Sequence, residues 1–172
     1  MLTVLRHLLA VAVLPLTVTV IVPRWIANQY NVDLRLPTGP LEIVSVLVGL
    51  VVLAIGLVLF GASLERFVHE GQGTLAPWDP PRRLVVRGPY RYVRNPMISG
   101  VLFILFGEAL ILRSGPHLVW ALVFLVINAI YIPLVEEHGL EHRFGEDYRQ
   151  YRQRVRRFLP RLKPWSFDKS KA

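Results

Sequence analysis

The sequence predicts an all-α integral membrane protein with about four transmembrane helices, a cytoplasmic Gly/Pro-rich loop and a C-terminal amphipathic helix. Three observations carry this fold class. Hydrophobic residues make up 53% of the 172 and the mean hydropathy is +0.42, too apolar for an ordinary soluble domain. Four segments approach the ~20 apolar residues that cross a hydrocarbon layer. Arginine and lysine are segregated between the connections, as topology signals are.

The first span is expected at roughly 3–22, "TVLRHLLAVAVLPLTVTVIV", with a kink at Pro15 because proline lacks an N–H. No small-residue cleavage site precedes "PRWIANQY", so this stretch reads as a retained helix and not a signal peptide. The second, roughly 41–63, has the uncharged core "IVSVLVGLVVLAIGLVLFG". The third, roughly 97–112, is short. The fourth, roughly 117–135, follows the tight turn "RSGPH", so spans three and four form a hairpin. Residues 71–96 are too rich in Gly and Pro to be helical throughout, with "RRLVV" as a short extended piece. From 136 to 157 a helix returns: Leu140, Phe144, Tyr148, Tyr151 and Val155 share one face. Gly145 weakens it by about 1 kcal/mol relative to alanine. The chain reads as a single membrane domain, 1–172, without internal repeats.

Seventeen of the 20 basic residues fall in the N-terminal end, 64–96 and 136–172. The positive-inside rule therefore predicts that both termini and the 64–96 loop are cytoplasmic, as in a bacterial-type inner membrane. In this setting the net charge of +8 points to topology and anionic headgroups, not nucleic acid. The bilayer is the expected partner, and no obligate protein partner is inferred. With no cysteine, disulfides, thiolate metal sites and cysteine nucleophiles are excluded.

Two polar constellations stand at membrane boundaries. In "RGPYRYVRNPMISG" (87–100), Gly88 permits a tight turn, Asn95 suits a helix cap and Pro96 the first helical turn. Such arginines and tyrosines anchor an interface; equally, free helix N–H groups beside aromatics and arginines hold a polar ligand. In "VEEHGL", Glu136 and Glu137 lie about 100° apart on a helix, so one faces the bundle while the other is solvated, or both are solvated. The hairpin brings both constellations to the same cytoplasmic end. Glu108 and Asn128, inside spans three and four, are functional candidates by depth, or a polar clasp between helices, with Arg113 an alternative partner for Glu108. His138 and His142 share a face but lack a third ligand, so no metal site is expected.

Together these residues resemble the membrane methyltransferases related to isoprenylcysteine carboxyl methyltransferase and phosphatidylethanolamine N-methyltransferase. The resemblance runs over about 82–160, through "LVVRGPYRYVRNPMISG", two helices, and "EEHGLEHRFGEDYRQYRQRVRRFLP". It implies S-adenosylmethionine as cofactor, held by Leu84, Val85, Tyr90, Asn95, Pro96, Met97, Ile98 and Glu136 or Glu137, with Glu136, Glu137 and Arg94 as catalytic candidates. An aromatic face and a carboxylate favour a sulfonium cation, and helix-end N–H groups suit the methionine carboxylate. Prenylcysteine-type members carry Arg-His-Pro followed one residue later by Tyr, where this chain has Arg94-Asn95-Pro96 and Ile98. They also place an arginine before the glutamate pair, where this chain has "AIYIPLV". "NPM" and "EE" stand closer to the phospholipid N-methyltransferases, although their Gly-x-Gly motif has no counterpart in span two; Gly71-Gln72-Gly73 lies in the loop. The implied activity is methyl transfer to a lipophilic or small acceptor: a lipid amine, a thiol or a prenylcysteine carboxylate. The alternatives are a sterol-reductase-like, NADPH-dependent membrane reductase and a non-enzymatic scaffold that binds anionic lipid.

Overall fold

The computed structural model describes residues 12–71 and 82–166. Among them every regular element is helical and no strand occurs. The first nine residues of the expected first span (3–11) and residues 72–81 of the expected 71–96 loop, including Gln72 and Gly73, lie outside the described residues.

Helix α1 begins with a π-helical stretch, Ala12–Ile21, that contains Pro15 and runs on as Val22–Gln29, seven residues past the expected end. Pro23 has no N–H, so on the π pitch the carbonyl of Val18 finds no partner within its own helix. The indole Nε1 of Trp120 donates to it at 3.1 Å. His117 then bridges Ser114 Oγ (2.8 Å) and the Pro23 carbonyl (3.1 Å). Because a carbonyl only accepts, Nε2 carries the proton and Nδ1 receives the serine hydroxyl.

Helix α2, Pro40–Glu70, is 31 residues long, about 46 Å at 1.5 Å per residue. It therefore outruns a hydrocarbon layer of about 30 Å, and its last two turns (Glu65, Arg66, His69, Glu70) emerge as a polar extension. Helix α3, Pro96–Leu112, and helix α4, Gly115–Tyr131, form the expected hairpin across a left-handed Arg113 (φ 48°). Proline 133 removes the next helical N–H, and the chain answers with a wide turn, Ile132–Glu136, before helix α5, Glu137–Arg154. Gly145 breaks α5 with φ 53° and ψ −123°, so the expected continuous 136–157 helix is two pieces. The apolar face survives this break: Tyr148, Tyr151 and Val155 are buried, with Leu140 and Phe144 packed against them.

Two stretches, α2 and the continuous run Gly115–Arg154, are long and apolar enough to cross a membrane, and α3 is a shorter apolar helix of 17 residues. Large apolar side chains such as Leu47, Val51, Val58, Val119, Val126 and Ile130 stand exposed around α2 and α4, as expected of a lipid-facing surface. The interior joins four helices, with Val101, Leu105 and Ala121 buried among Val18, Phe60, Trp120 and Phe124.

Helices α2 and α3 meet through glycines. A Cβ on Gly49 would lie 3.0 Å from the Gly107 carbonyl oxygen, and one on Gly56 would lie 2.8 Å from that of Gly100. Small residues let apolar helices approach to backbone contact, where packing replaces the absent hydrophobic drive.

Candidate functional site

The site is built where α3 begins and α4 ends. The chain leaves α2 at Gly71, whose carbonyl accepts from the N–H groups of Arg82 (2.8 Å) and Arg83 (3.2 Å). "RRLVV" forms no strand: Arg82 and Arg83 bend and the next three residues are irregular; Val85 is buried, and Leu84 packs on the Tyr148–Tyr151–Val155 cluster. A single 3₁₀ turn, Gly88–Arg91, follows. It starts with Gly88 at φ +56°, against Arg66 of α2, where an added Cβ would lie 3.1 Å from Cγ. The positive φ favours glycine here, and the Arg66 side chain packs directly over it.

Arg94 then reaches across to Glu137, its Nη1 lying 3.0 Å from Oε1, with the two side chains 9% and 5% exposed. Arg157 closes the same carboxylate from the other side: Nε donates to Oε1 at 2.7 Å and Nη2 to Oε2 at 3.1 Å. This is a bidentate fork, the strong form of a charge-assisted bond. Arg94 Nη1 also donates to the Tyr148 hydroxyl at 3.3 Å. Burial alone would push the Glu137 carboxyl up, but the Arg157 hydrogen bonds and the charges of Arg94, Arg157 and Arg152 outweigh it and hold it below the usual carboxylate range. Glu136, next in sequence and half-buried, goes the other way. Burial raises it, the Glu137 charge raises it further, and Arg143 offsets only part. The pair is thus split into a compensated carboxylate and a poorly compensated one: Glu137 is buried between arginines, and Glu136 is half-buried rather than solvated.

Tyr90 lies beside Glu136. Burial first, and the Glu136 charge second, keep its phenol protonated far above the ordinary tyrosine range. Its carbonyl accepts from the Tyr151 hydroxyl at 2.6 Å. Burial also pushes the Tyr148 phenol up to about 12. Pro96 is fully buried at the start of α3, with Met97 and Ile98 half-buried behind it. Asn95 occupies the cap position, but its side chain makes no cap hydrogen bond. Its carbonyl accepts from Ser99 N (3.0 Å) and Ser99 Oγ (3.0 Å). Asn95 Nδ2 and Arg94 Nε are buried without a hydrogen-bond partner. Two orphan donors beside a helix N-terminus form an environment for an anionic group.

Other sequence candidates separate from this site. Asn128 donates to the Phe124 carbonyl at 2.8 Å, not to Glu108, whose Oε2 is buried without a partner. Arg113 turns away from Glu108, to the Arg35 carbonyl (3.0 Å) and Glu42 (3.8 Å). His138 Nδ1 lies 3.1 Å from the Pro133 carbonyl, and no group of three metal-ligating side chains occurs among the described residues. Sequence reasoning missed the last segment of the site, 155–165. There Arg94 N donates to Arg156 O (2.9 Å), Asn95 N to Arg157 O (3.3 Å), Arg161 N to Tyr92 O (2.9 Å) and Trp165 N to Arg91 O (3.0 Å). The closing "RFLP" was the one hint.

Beside the turn, two apolar cavities of about 370 Å³ and 470 Å³ share Leu59 and Pro89 as lining. The first is walled by Tyr92, Val93, Ser99, Phe103 and Phe158.

A family model described as phospholipid methyltransferase matches residues 44–147, more than half of the chain. A protein named methanethiol S-methyltransferase 1, from Bradyrhizobium diazoefficiens, is 38% identical over 71 residues. That match covers 41% of this chain and 24% of the relative, so the chain spans about a quarter of that protein's length. No solved structure matches the chain.

Proposed function

The chain belongs to the phospholipid methyltransferase family, and from that premise we propose that it transfers a methyl group from S-adenosylmethionine to a lipophilic or small acceptor at the cytoplasmic membrane face. The observation that carries this reading is the gathering of Tyr90, Glu136 and the orphan donors Arg94 Nε and Asn95 Nδ2 at one end of the bundle. In this proposal the chain crosses the bilayer four times as one domain, with both termini and the loop on the side where its arginines collect.

The cofactor supplies an electrophilic methyl group on a sulfonium. Asn95 and the N–H groups of Met97 and Ile98 at the start of α3 hold its carboxylate. Leu84, Val85 and Pro96 provide apolar walls. Tyr90 and Glu136 offer an aromatic face and a carboxylate to the cation. Glu137 is held between Arg94 and Arg157, so the role of this cluster is to fix this end of the site. The apolar cavities beside Pro89 and Tyr92 support a lipophilic acceptor that enters from the bilayer. Alignment of acceptor and methyl group, with water excluded, is the main catalytic demand on the chain. The reductase and scaffold alternatives have no observation in their favour comparable to the family match.

Calorimetric titration of the detergent-purified protein with S-adenosylhomocysteine tests this reading. Micromolar binding that Tyr90→Ala and Glu136→Gln weaken supports it; a folded protein with no binding overturns the cofactor assignment.

A further inference from the structure

We infer that Arg157 is a positioning residue of the proposed cofactor site and that the segment 155–165 is an integral part of that site, clasping the 91–95 loop onto the end of α4. The inference rests on the methyltransferase reading for what the site binds, but not for the clasp itself. Arg157 lies beyond residue 147, where the family match ends.

Three observations carry it. Arg157 grips both oxygens of Glu137, at 2.7 and 3.1 Å, while Arg94 of the loop approaches the same carboxylate at 3.0 Å. One buried anion thus couples the loop, the start of α5 and the tail. The backbone repeats the connection: four N–H···O bonds of 2.9 to 3.3 Å run between 91–95 and 156–165, and Arg91 Nε donates to the Trp165 carbonyl at 2.8 Å. Trp165 also lies on the ring of Tyr151, centroids 5.5 Å apart, and the Tyr151 hydroxyl holds the Tyr90 carbonyl. The groups expected to touch the cofactor, Tyr90 and Asn95, are therefore each bonded to a residue at or beyond 151. Arg94 and Arg157 between them compensate Glu137, which leaves the less compensated Glu136 as the carboxylate available to a cation.

The test compares wild type, Arg157→Gln and Arg157→Lys for S-adenosylhomocysteine affinity across pH, and for hydrogen exchange at the Arg94 and Asn95 amides. Charged groups around Glu137 are Arg94 from the loop, Arg152 and Tyr148 from α5, Glu136 and Arg157. Losing Arg157 raises the pH at which Glu137 takes up a proton, because its largest stabilising contact has gone. The expected result for Arg157→Gln is an affinity about tenfold weaker or worse, because the carboxylate that anchors the loop loses its bidentate partner. The acid midpoint of binding moves to higher pH, and exchange at Arg94 and Asn95 accelerates. Arg157→Lys keeps the charge without the planar fork and recovers part of the affinity and midpoint. Should Arg157→Gln not fold, Arg157→Lys reads the same quantities against wild type. Unchanged affinity, midpoint and exchange in a folded variant overturn the inference. If wild type binds no S-adenosylhomocysteine, the methyltransferase reading fails, and the exchange rates alone decide whether the clasp exists.

Discussion

Gly56 and Gly100 face each other across α2 and α3 so closely that a methyl group on either would lie within about 3 Å of the other's carbonyl oxygen, 2.8 Å in one direction and 3.0 Å in the other. Gly49 and Gly107 repeat the relationship two turns away, with seven residues between partners on each helix. The contact sets the spacing of the two helices and, through α3, the height of the loop above them. Replacing Gly100 by alanine forces backbone apart, not the end of a flexible side chain. Overpacking of this kind costs about 1–3 kcal/mol, so Gly100→Ala melts at lower temperature in detergent, and Gly56→Ala/Gly100→Ala shows less than the sum of the two losses.

Glu137→Gln removes the shared anion and leaves Arg94 and Arg157 facing each other. Breaking a buried pair in this way costs roughly 3–5 kcal/mol, seen as a lowered unfolding midpoint. The pH dependence has a definite sign. Because the folded-state value lies below the ordinary one, the stability from this group is fully present above about pH 4.3. It is lost as pH falls through the lower folded value. The wild-type advantage over Glu137→Gln in thermal melts should therefore be level at neutral pH and shrink below pH ~4.

Glu136→Gln predicts the opposite division. Glu136 is raised by burial and by its neighbour, so neutralising it relieves an uncompensated charge. The melting temperature stays level or rises, while S-adenosylhomocysteine and, more strongly, S-adenosylmethionine bind more weakly because the cation loses its carboxylate. Equal losses for the sulfonium and the thioether ligands would count against a cation-facing role.

Tyr148→Phe deletes the hydroxyl that accepts from Arg94. A net loss of about 1 kcal/mol is expected. With the phenol pushed up to about 12, the wild-type minus Tyr148→Phe ultraviolet difference spectrum shows no phenolate band at pH 10, where a free tyrosine is half ionised.

Val93→Trp fills the 370 Å³ cavity lined by Pro89, Tyr92 and Phe103. In steady-state assays the KM for a long-chain acceptor rises, whereas S-adenosylhomocysteine affinity, measured separately by calorimetry, is unchanged. An equal effect on short and long acceptors would remove the cavity from the acceptor's path.

Much of this was legible in the sequence because hydropathy and charge are local signals. Runs of apolar residues marked α2 and the hairpin, and the 4-4-3-4 spacing from Leu140 to Val155 identified a face that is buried even though Gly145 interrupts the helix carrying it. Asn95-Pro96 marked the start of α3 to the residue. What stayed hidden depends on contacts between residues far apart. Arg157 is one of several arginines in a basic tail, and nothing local distinguishes it from Arg156; only its approach to Glu137, 20 residues earlier, does so. Gly49, Gly56, Gly100 and Gly107 recur at sevens in each helix, a pattern that could have been found by aligning the two spans in opposite directions. The register of Glu136 and Glu137 depends on the wide turn after Pro133, which an ideal helical wheel misses.

Arg91 and Trp165 are joined by two hydrogen bonds across 74 residues of chain, and this has a consequence for biosynthesis. During translation the loop leaves the ribosome well before the tail does, and the α3–α4 hairpin can enter the bilayer while the partners of Arg91, Arg94 and Asn95 have yet to be made. The nascent protein therefore acquires its membrane anchorage before the closure of its polar end. A ribosome-stalled chain ending before residue 155 would hold the helices but not the clasp, so the polar end can assemble only after the segment 155–165 has emerged.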